Sequence, residues 1–239
     1  MSERFTDTLR RAADGLWQAQ HDHPFVRGIG DGTVDMAAFA YWVRQDYVYL
    51  VQYSRVLALA AARAPDLATT SRFAELANVT LNTEMALHRS YAREFGISEG
   101  ELEAELPSPT TQGYTDFLLR TAALGSFPEL CAAILPCMWG FSEIGLRLAQ
   151  RGVPEEPRCA AWVRMYSDPL FAELASWCRA LVDRLADGQP QEELERMRRA
   201  FMLSSRYELA FWEMAHNQER WPGSQAIGGG KPWRNRMGS

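Results

Sequence analysis

Three side chains in this 239-residue sequence pair reactive chemistry with an unusual setting: Cys137, Asp46 and Glu208. Cys137 follows Pro136 inside an apolar run that otherwise reads as helix. A proline in a helix interior lacks the N–H donor and costs about 3 kcal/mol, and Gly140 adds up to about 1 kcal/mol. Packing alone needs neither penalty. A site that bends a helix to present a thiol uses both. Near exposed backbone N–H groups and a proton carrier, a thiol becomes a nucleophile. Cys131, Cys159 and Cys178 have no such break beside them and read as small, inert hydrophobes. The four cysteines form no C-x-x-C pair and no zinc spacing, so free thiols are expected.

The two carboxylates sit on apolar helix faces. Asp46 shares its face with Trp42, Val43, Tyr49 and Leu50 at i, i+3, i+4, i+7 spacing. Such a carboxylate costs free energy unless something hydrogen-bonds it. Glu208 lies among Phe201, Phe211 and Trp212 near the end of the chain. Apolar surroundings raise a carboxyl pKa, which suits a general acid/base near neutral pH. The plainer alternatives are a structural Asp46, and a Glu208 that pairs with Arg206 or Arg199 or simply faces water. Tyr47, Tyr49, Tyr114, Phe141, Tyr166, Tyr207 and Phe211 are aromatics of a kind that pack a core in most proteins. With an Asp, a Glu and a Cys they could also line a slot for a flat, hydrogen-bonding heterocycle.

A competing constellation is Glu84 with His88. This i, i+4 pair shares one helix face, as in helical di-iron sites, and Glu143 could add a carboxylate. The second Glu-x-x-His pair of such sites is missing, so ligand count argues against a metal.

These residues need helices to position them. Strand signals are nearly absent, and no repeat of fixed period occurs. The breaks predict about eight helices, over 3–20, 35–64, 69–95, 111–123, 128–150, 157–166, 169–186 and 191–217. Residues 28–33, with three glycines, are expected as a loop, and 98–105 as an acidic connector. The expected organisation is one all-α bundle over 1–220 and a flexible tail over 221–239. A net charge of −5 argues against nucleic acid as the main partner. With no signal-peptide pattern and no apolar run of membrane length, a cytoplasmic protein is expected.

Taken together, the motifs resemble the TenA/thiaminase II family, the aminopyrimidine aminohydrolases of thiamin salvage. The resemblance spans 17–212. It rests on His23-Pro24-Phe25, Gln45-Asp46-Tyr47-Val48-Tyr49-Leu50, Glu84 with His88, Tyr114, Leu135-Pro136-Cys137-Met138-Trp139, Trp162 with Tyr166, and Tyr207-Glu208-Leu209-Ala210-Phe211-Trp212. It implies a haem-oxygenase-like fold, a homotetramer, no cofactor, and a small aminopyrimidine or thiamin-derived substrate. By the same resemblance, Cys137 is the nucleophile, Glu208 the general acid/base and Asp46 the group that binds the ring nitrogen and amino group. Tyr49, Tyr114 and Tyr166 line the slot. One departure stands out: the family often has a tyrosine four residues after the cysteine, where this chain has Phe141. Two other readings stay open: a helical di-metal or cofactor-processing oxidase using Glu84, His88 and Glu143, and a non-catalytic pyrimidine- or thiamin-binding protein.

Overall fold

Residues 3–223 are described by a computed structural model, and among them every regular element is a helix. In chain order these are α1 (Phe5–Ala12), α2 (Asp14–His21), α3 (Pro24–Asp31), α4 (Met36–Arg63) and α5 (Leu67–Val79). A π turn (Thr80–Glu84) leads directly into α6 (Met85–Glu94). Then come α7 (Glu99–Glu103), α8 (Pro109–Leu124), α9 (Phe127–Arg151), α10 (Pro157–Tyr166), α11 (Pro169–Ala186) and α12 (Gln191–Asn217).

Most helices start on a side-chain cap. The Asp35, Ser108, Ser126, Glu156 and Asp168 side chains each accept a hydrogen bond from a backbone N–H in the first turn that follows. His23 caps α3 less conventionally: its Nδ1 accepts from the Phe25 N–H at 3.2 Å, and Pro24 supplies the first helical residue. That start explains a departure from the sequence expectation. The glycines of 28–33 were expected to form a loop, yet α3 runs through Gly28 and Gly30 and stops at Gly32, which takes a left-handed φ of 71°. Three smaller differences follow the same lines. The first expected helix breaks at Ala13, the third contains the π turn, and the acidic connector holds α7 behind a Ser98–Glu101 capping box.

The long helices α4, α9 and α12 form the middle of the molecule. α9 packs most extensively on α12 and α11, and α4 on α5 and α8. The core between them is unusually aromatic: Trp17, Phe25, Phe39, Trp42, Trp162, Phe201 and Trp212 are all buried. α9 has the length and mean hydropathy of a membrane span, but 78 % of that stretch is buried against its neighbours. It is the core helix of the bundle.

α9 does not break at Pro136. It is α-helical from Phe127 to Arg151 with the proline inside it. Gly140 answers no steric demand either, since a Cβ there would meet nothing within 4 Å. Gly145 is the glycine this helix requires: a Cβ would lie 2.4 Å from the Tyr166 carbonyl carbon. Its absence lets α9 touch the end of α10 and brings Tyr166 inward. At the other end of the chain, Trp221 Nε1 donates to the Pro107 carbonyl at 2.9 Å. The tail expected over 221–239 otherwise lies, from 224 onward, outside the described residues.

Candidate active site

α4, α8, α9, α10, α12 and the π turn each contribute to one enclosed polar cluster. Cys137 on α9 lies within electrostatic range of Glu208, Glu84 and Asp46. Asp46 and Glu208 are buried, whereas Cys137 and Glu84 keep some accessible surface. The other three cysteines are buried.

Burial, and then the Glu208 carboxyl, push the Cys137 thiol well above its usual range, while the neighbouring Tyr49 hydroxyl pulls it back. At rest the group is a thiol with a phenol beside it. The Tyr49 and Tyr53 hydroxyls have no hydrogen-bond partner among the described residues, and neither do Trp42 Nε1 and Trp162 Nε1. Buried polar atoms without partners are uncommon, and a cluster of them marks where a polar ligand belongs. Tyr49 stacks near Tyr53 at 5.4 Å, Tyr114 at 5.1 Å and Phe211 at 5.7 Å, so these rings form one wall.

Among the described residues Glu208 has no arginine partner. It accepts a very short hydrogen bond from the Tyr114 hydroxyl, which also lies 2.9 Å from Ser204 Oγ. Burial pushes Glu208 up to about 8, with Tyr114 opposing and Asp46 adding to the rise. A carboxyl with that value is protonated at neutral pH and can give up its proton in a reaction. Buried as they are, the phenols of Tyr49, Tyr114 and Tyr166 are held well above 10 and act as neutral donors.

Glu84 and His88 belong to this same cluster, which sequence reasoning missed. Glu84 Oε1 accepts from the Tyr166 hydroxyl at 2.9 Å, and burial, then Asp46, raise its carboxyl to about 7. His88 is fully buried, with Nδ1 2.9 Å from the Glu84 carbonyl and Nε2 2.6 Å from Asp46 Oδ2. The i, i+4 spacing correctly placed the pair on one face; what could not be read is that Asp46 stands opposite. Glu143 does not join them. It lies six residues beyond Cys137, about 240° around α9, and pairs with Arg10 at 3.1 Å and His21 at 3.3 Å. The three-residue metal set is therefore corrected: its members are in two places, and among the described residues no three His, Cys, Asp or Glu side chains converge as metal ligands.

Phe141 packs on Tyr166 at 4.9 Å and Trp212 at 5.0 Å. The group beside the thiol is Tyr49, from a different helix. A 230 Å³ cavity adjoins the site; its lining includes Thr83 and Met165, next in sequence to Glu84 and Tyr166, and Phe171, whose ring meets Tyr166 at 5.3 Å. A larger surface cavity of 320 Å³ on another face of α4 is lined by Tyr47, Val51 and Glu105 and holds none of these residues.

Comparison with known proteins agrees with this architecture. The model of the TENA/THI-4/PQQC family matches residues 10–218. The chain is 41 % identical over 220 residues to an aminopyrimidine aminohydrolase of Halalkalibacterium halodurans, covering 91 % of this chain and 97 % of that one. It is 39 % identical over 221 residues to an aminopyrimidine aminohydrolase of Bacillus subtilis, covering 92 % and 93 %. Among solved structures, a TenA homologue from P. horikoshii OT3 superposes with a TM-score of 0.82 at 28 % identity, over 90 % of this chain and 99 % of that one. A domain with a heme oxygenase-like fold from Shewanella denitrificans, 16 % identical, matches with a TM-score of 0.69 over 97 % and 98 %, a likeness of fold. The bundle is haem-oxygenase-like, and the chain belongs to the TENA/THI-4/PQQC family.

Proposed function

We propose that this protein is a thiamin-salvage hydrolase of the aminopyrimidine aminohydrolase type. Its substrate would be 4-amino-5-aminomethyl-2-methylpyrimidine or a related thiamin breakdown product. The observation that carries the reading is the convergence of Cys137, Glu208, Asp46 and three neutral phenols in one enclosed cluster. The relatives named aminopyrimidine aminohydrolase support it.

In the mechanism, Asp46 accepts from the ring's amino side and holds the heterocycle edge-on. The Cys137 thiol adds across a ring C=N bond, sulfur to carbon and proton to nitrogen, and the Tyr49 hydroxyl steadies the sulfur as its proton leaves. The electron-rich adduct then expels the amine from the exocyclic methylene. Glu208 gives that amine its proton, so ammonia departs and the ring is left cationic beside a Glu208 carboxylate. Water adds its oxygen to the methylene and returns a proton to Glu208. The cysteine leaves with the ring-nitrogen proton, restoring the C=N bond and the thiol. Two covalent steps replace one difficult displacement, and no cofactor takes part. Tyr114 keeps Glu208 aimed, and Tyr166 with Phe141 behind it closes the slot.

We further infer a cytoplasmic homotetramer, with one domain over 1–220 and neither nucleic acid nor membrane as partner. The test of the reaction is ammonia release in ¹⁸O-labelled water. The wild type should release ammonia and place ¹⁸O in the hydroxymethyl product, and Cys137→Ser should fall to background. Unchanged turnover in Cys137→Ser would remove the nucleophile assignment.

A further inference from the structure

His88 is the buried titratable group that this mechanism leaves unused. It carries no accessible surface, and four elements surround it. Asp46 and Trp42 face it from α4, with Trp42 at 5.1 Å ring to ring. Glu84 faces it from the π turn, and Tyr91 from its own helix at 6.2 Å. Tyr166 closes the cluster from α10 through its bond to Glu84.

The geometry fixes a proton count. A carbonyl oxygen can only accept, so the His88 Nδ1 bonded to Glu84 O must carry hydrogen. A neutral ring would then point the bare Nε2 lone pair at a carboxylate oxygen 2.6 Å away, a repulsive arrangement at that distance. One of the two atoms, Nε2 or Oδ2, must therefore carry a proton. The oxygen sits off the axis expected of a ring N–H, so charge, more than alignment, holds the contact. The balance of forces agrees. Burial draws the imidazole down, but the Asp46 carboxylate and the Glu84 groups outweigh it and raise the ring above its ordinary 6.5.

The π turn makes this possible. Its i→i+5 bonding widens one turn and offsets the register of the helix, a feature frequent at functional sites. Here it ends at Glu84, whose carbonyl takes the His88 ring while its carboxyl takes Tyr166. A single residue thus anchors both an imidazole and a phenol of the cluster.

We propose that His88 is a positioning residue for the reaction. Anchored on the Glu84 carbonyl, it engages Asp46 Oδ2 as a close charge partner and so leaves Oδ1 as the oxygen that receives the substrate. The inference rests on the proposed role of Asp46 in holding the ring. It assigns His88 no part in bond making or breaking.

The test combines ¹⁵N-histidine NMR with kinetics on the full chain. The chain has four histidines, so His88→Gln assigns the resonance. At pH 7 the wild-type His88 should show both ring nitrogens protonated, and Asp46→Asn should convert it to the neutral Nδ1–H form. In steady state, His88→Gln, which can still donate to Asp46 but carries no charge, should raise KM for the aminopyrimidine about tenfold while kcat changes less. His88→Leu should raise KM further. A neutral wild-type His88, a ring unaffected by Asp46→Asn, or an unchanged KM in His88→Leu would each overturn the proposal. If the His88 variants do not fold, single Gln variants at His21, His23 and His216 assign the remaining resonance to His88, and the wild-type and Asp46→Asn spectra decide it. If the wild type releases no ammonia, the proposed reaction fails, and the spectra still test the pair.

Discussion

Two helical stretches of this molecule place side chains in the site and do so in opposite ways. α9 contains a proline at position 136, one residue before the thiol, and still runs as an α-helix from end to end. The stretch from α5 to α6 contains no proline or glycine, and it is the one that leaves α geometry, over Thr80–Glu84. A buried helix held by neighbours along its whole length absorbs the loss of one N–H donor. Residues that must be turned toward a particular partner need a change of register, and the π turn supplies it for Glu84 and His88. The same contrast appears in charge: Glu208 on α12 faces a phenol, whereas Asp46 on α4 faces an imidazole.

The comparison can be attacked at several points. The largest expected effect belongs to Glu208. Glu208→Gln keeps the shape but has no proton to give, and ammonia release should drop by about 10²–10⁴-fold, the usual worth of a general acid. If His88→Gln lost as much in kcat, the division between chemistry and positioning would be wrong. Next comes the π turn itself. Deleting the exposed Asn82 removes the inserted residue and lets the helix close to α geometry. Activity should fall by about 10²-fold, the scale of an ångström-sized misplacement, with the helical circular dichroism retained. Full activity after the deletion would mean that the π turn positions nothing.

A smaller effect concerns stability against pH. Glu84 and Glu208 have folded values of about 7 and about 8 against an ordinary 4.5. Between those limits the folded chain binds protons that the unfolded chain has released. Their contribution is therefore fully present below 4.5 and is lost as pH rises through about 7 and then about 8. Raising pH from 5.5 to 8.5 should lower the Tm of the wild type by several degrees more than that of the Glu84→Gln, Glu208→Gln double variant, at roughly 2–4 °C per kcal/mol. Equal pH dependence would contradict the raised values. The smallest effect tests α9. Gly140→Ala has room for its methyl and should stabilise by about 0.5–1 kcal/mol in denaturant titration. Because α9 does not depend on a break there, ammonia release should change by less than about threefold.

Much of this was legible in the residues. Asp46 and Glu208 stood out because a carboxylate on an apolar helix face needs a reason, and each proves to have a hydrogen-bonding or charged partner. The boundaries of α4, α10, α11 and α12 followed from Asp35, Pro157, Pro169 and Pro190 with their neighbouring breaks. What failed depended on contacts between distant parts of the chain. The helix over 128–150 was expected to carry Pro136 and does, but the proline was read as a cost that packing does not need, because local cost is visible in sequence and the support of surrounding helices is not. Gly28 and Gly30 were read as loop for the same reason, although the His23 cap and Pro24 start a helix through them. The π turn leaves no mark at Thr80–Glu84, because Glu84 and His88 are aimed by Tyr166 and Asp46 from other helices. The i, i+4 pair was visible, but its partner lies 42 residues away in sequence, as the spacing of Asp46 and His88 gives.

The most direct test of the central claim is the pH dependence of kcat/KM for ammonia release from 4-amino-5-aminomethyl-2-methylpyrimidine, in the wild type and in Glu208→Gln. If a buried, protonated Glu208 delivers the proton to the leaving amine, the wild-type profile falls on an alkaline limb near its value of about 8, and that limb vanishes in the much slower variant. An alkaline limb that persists unchanged in Glu208→Gln, at undiminished rate, would contradict the account.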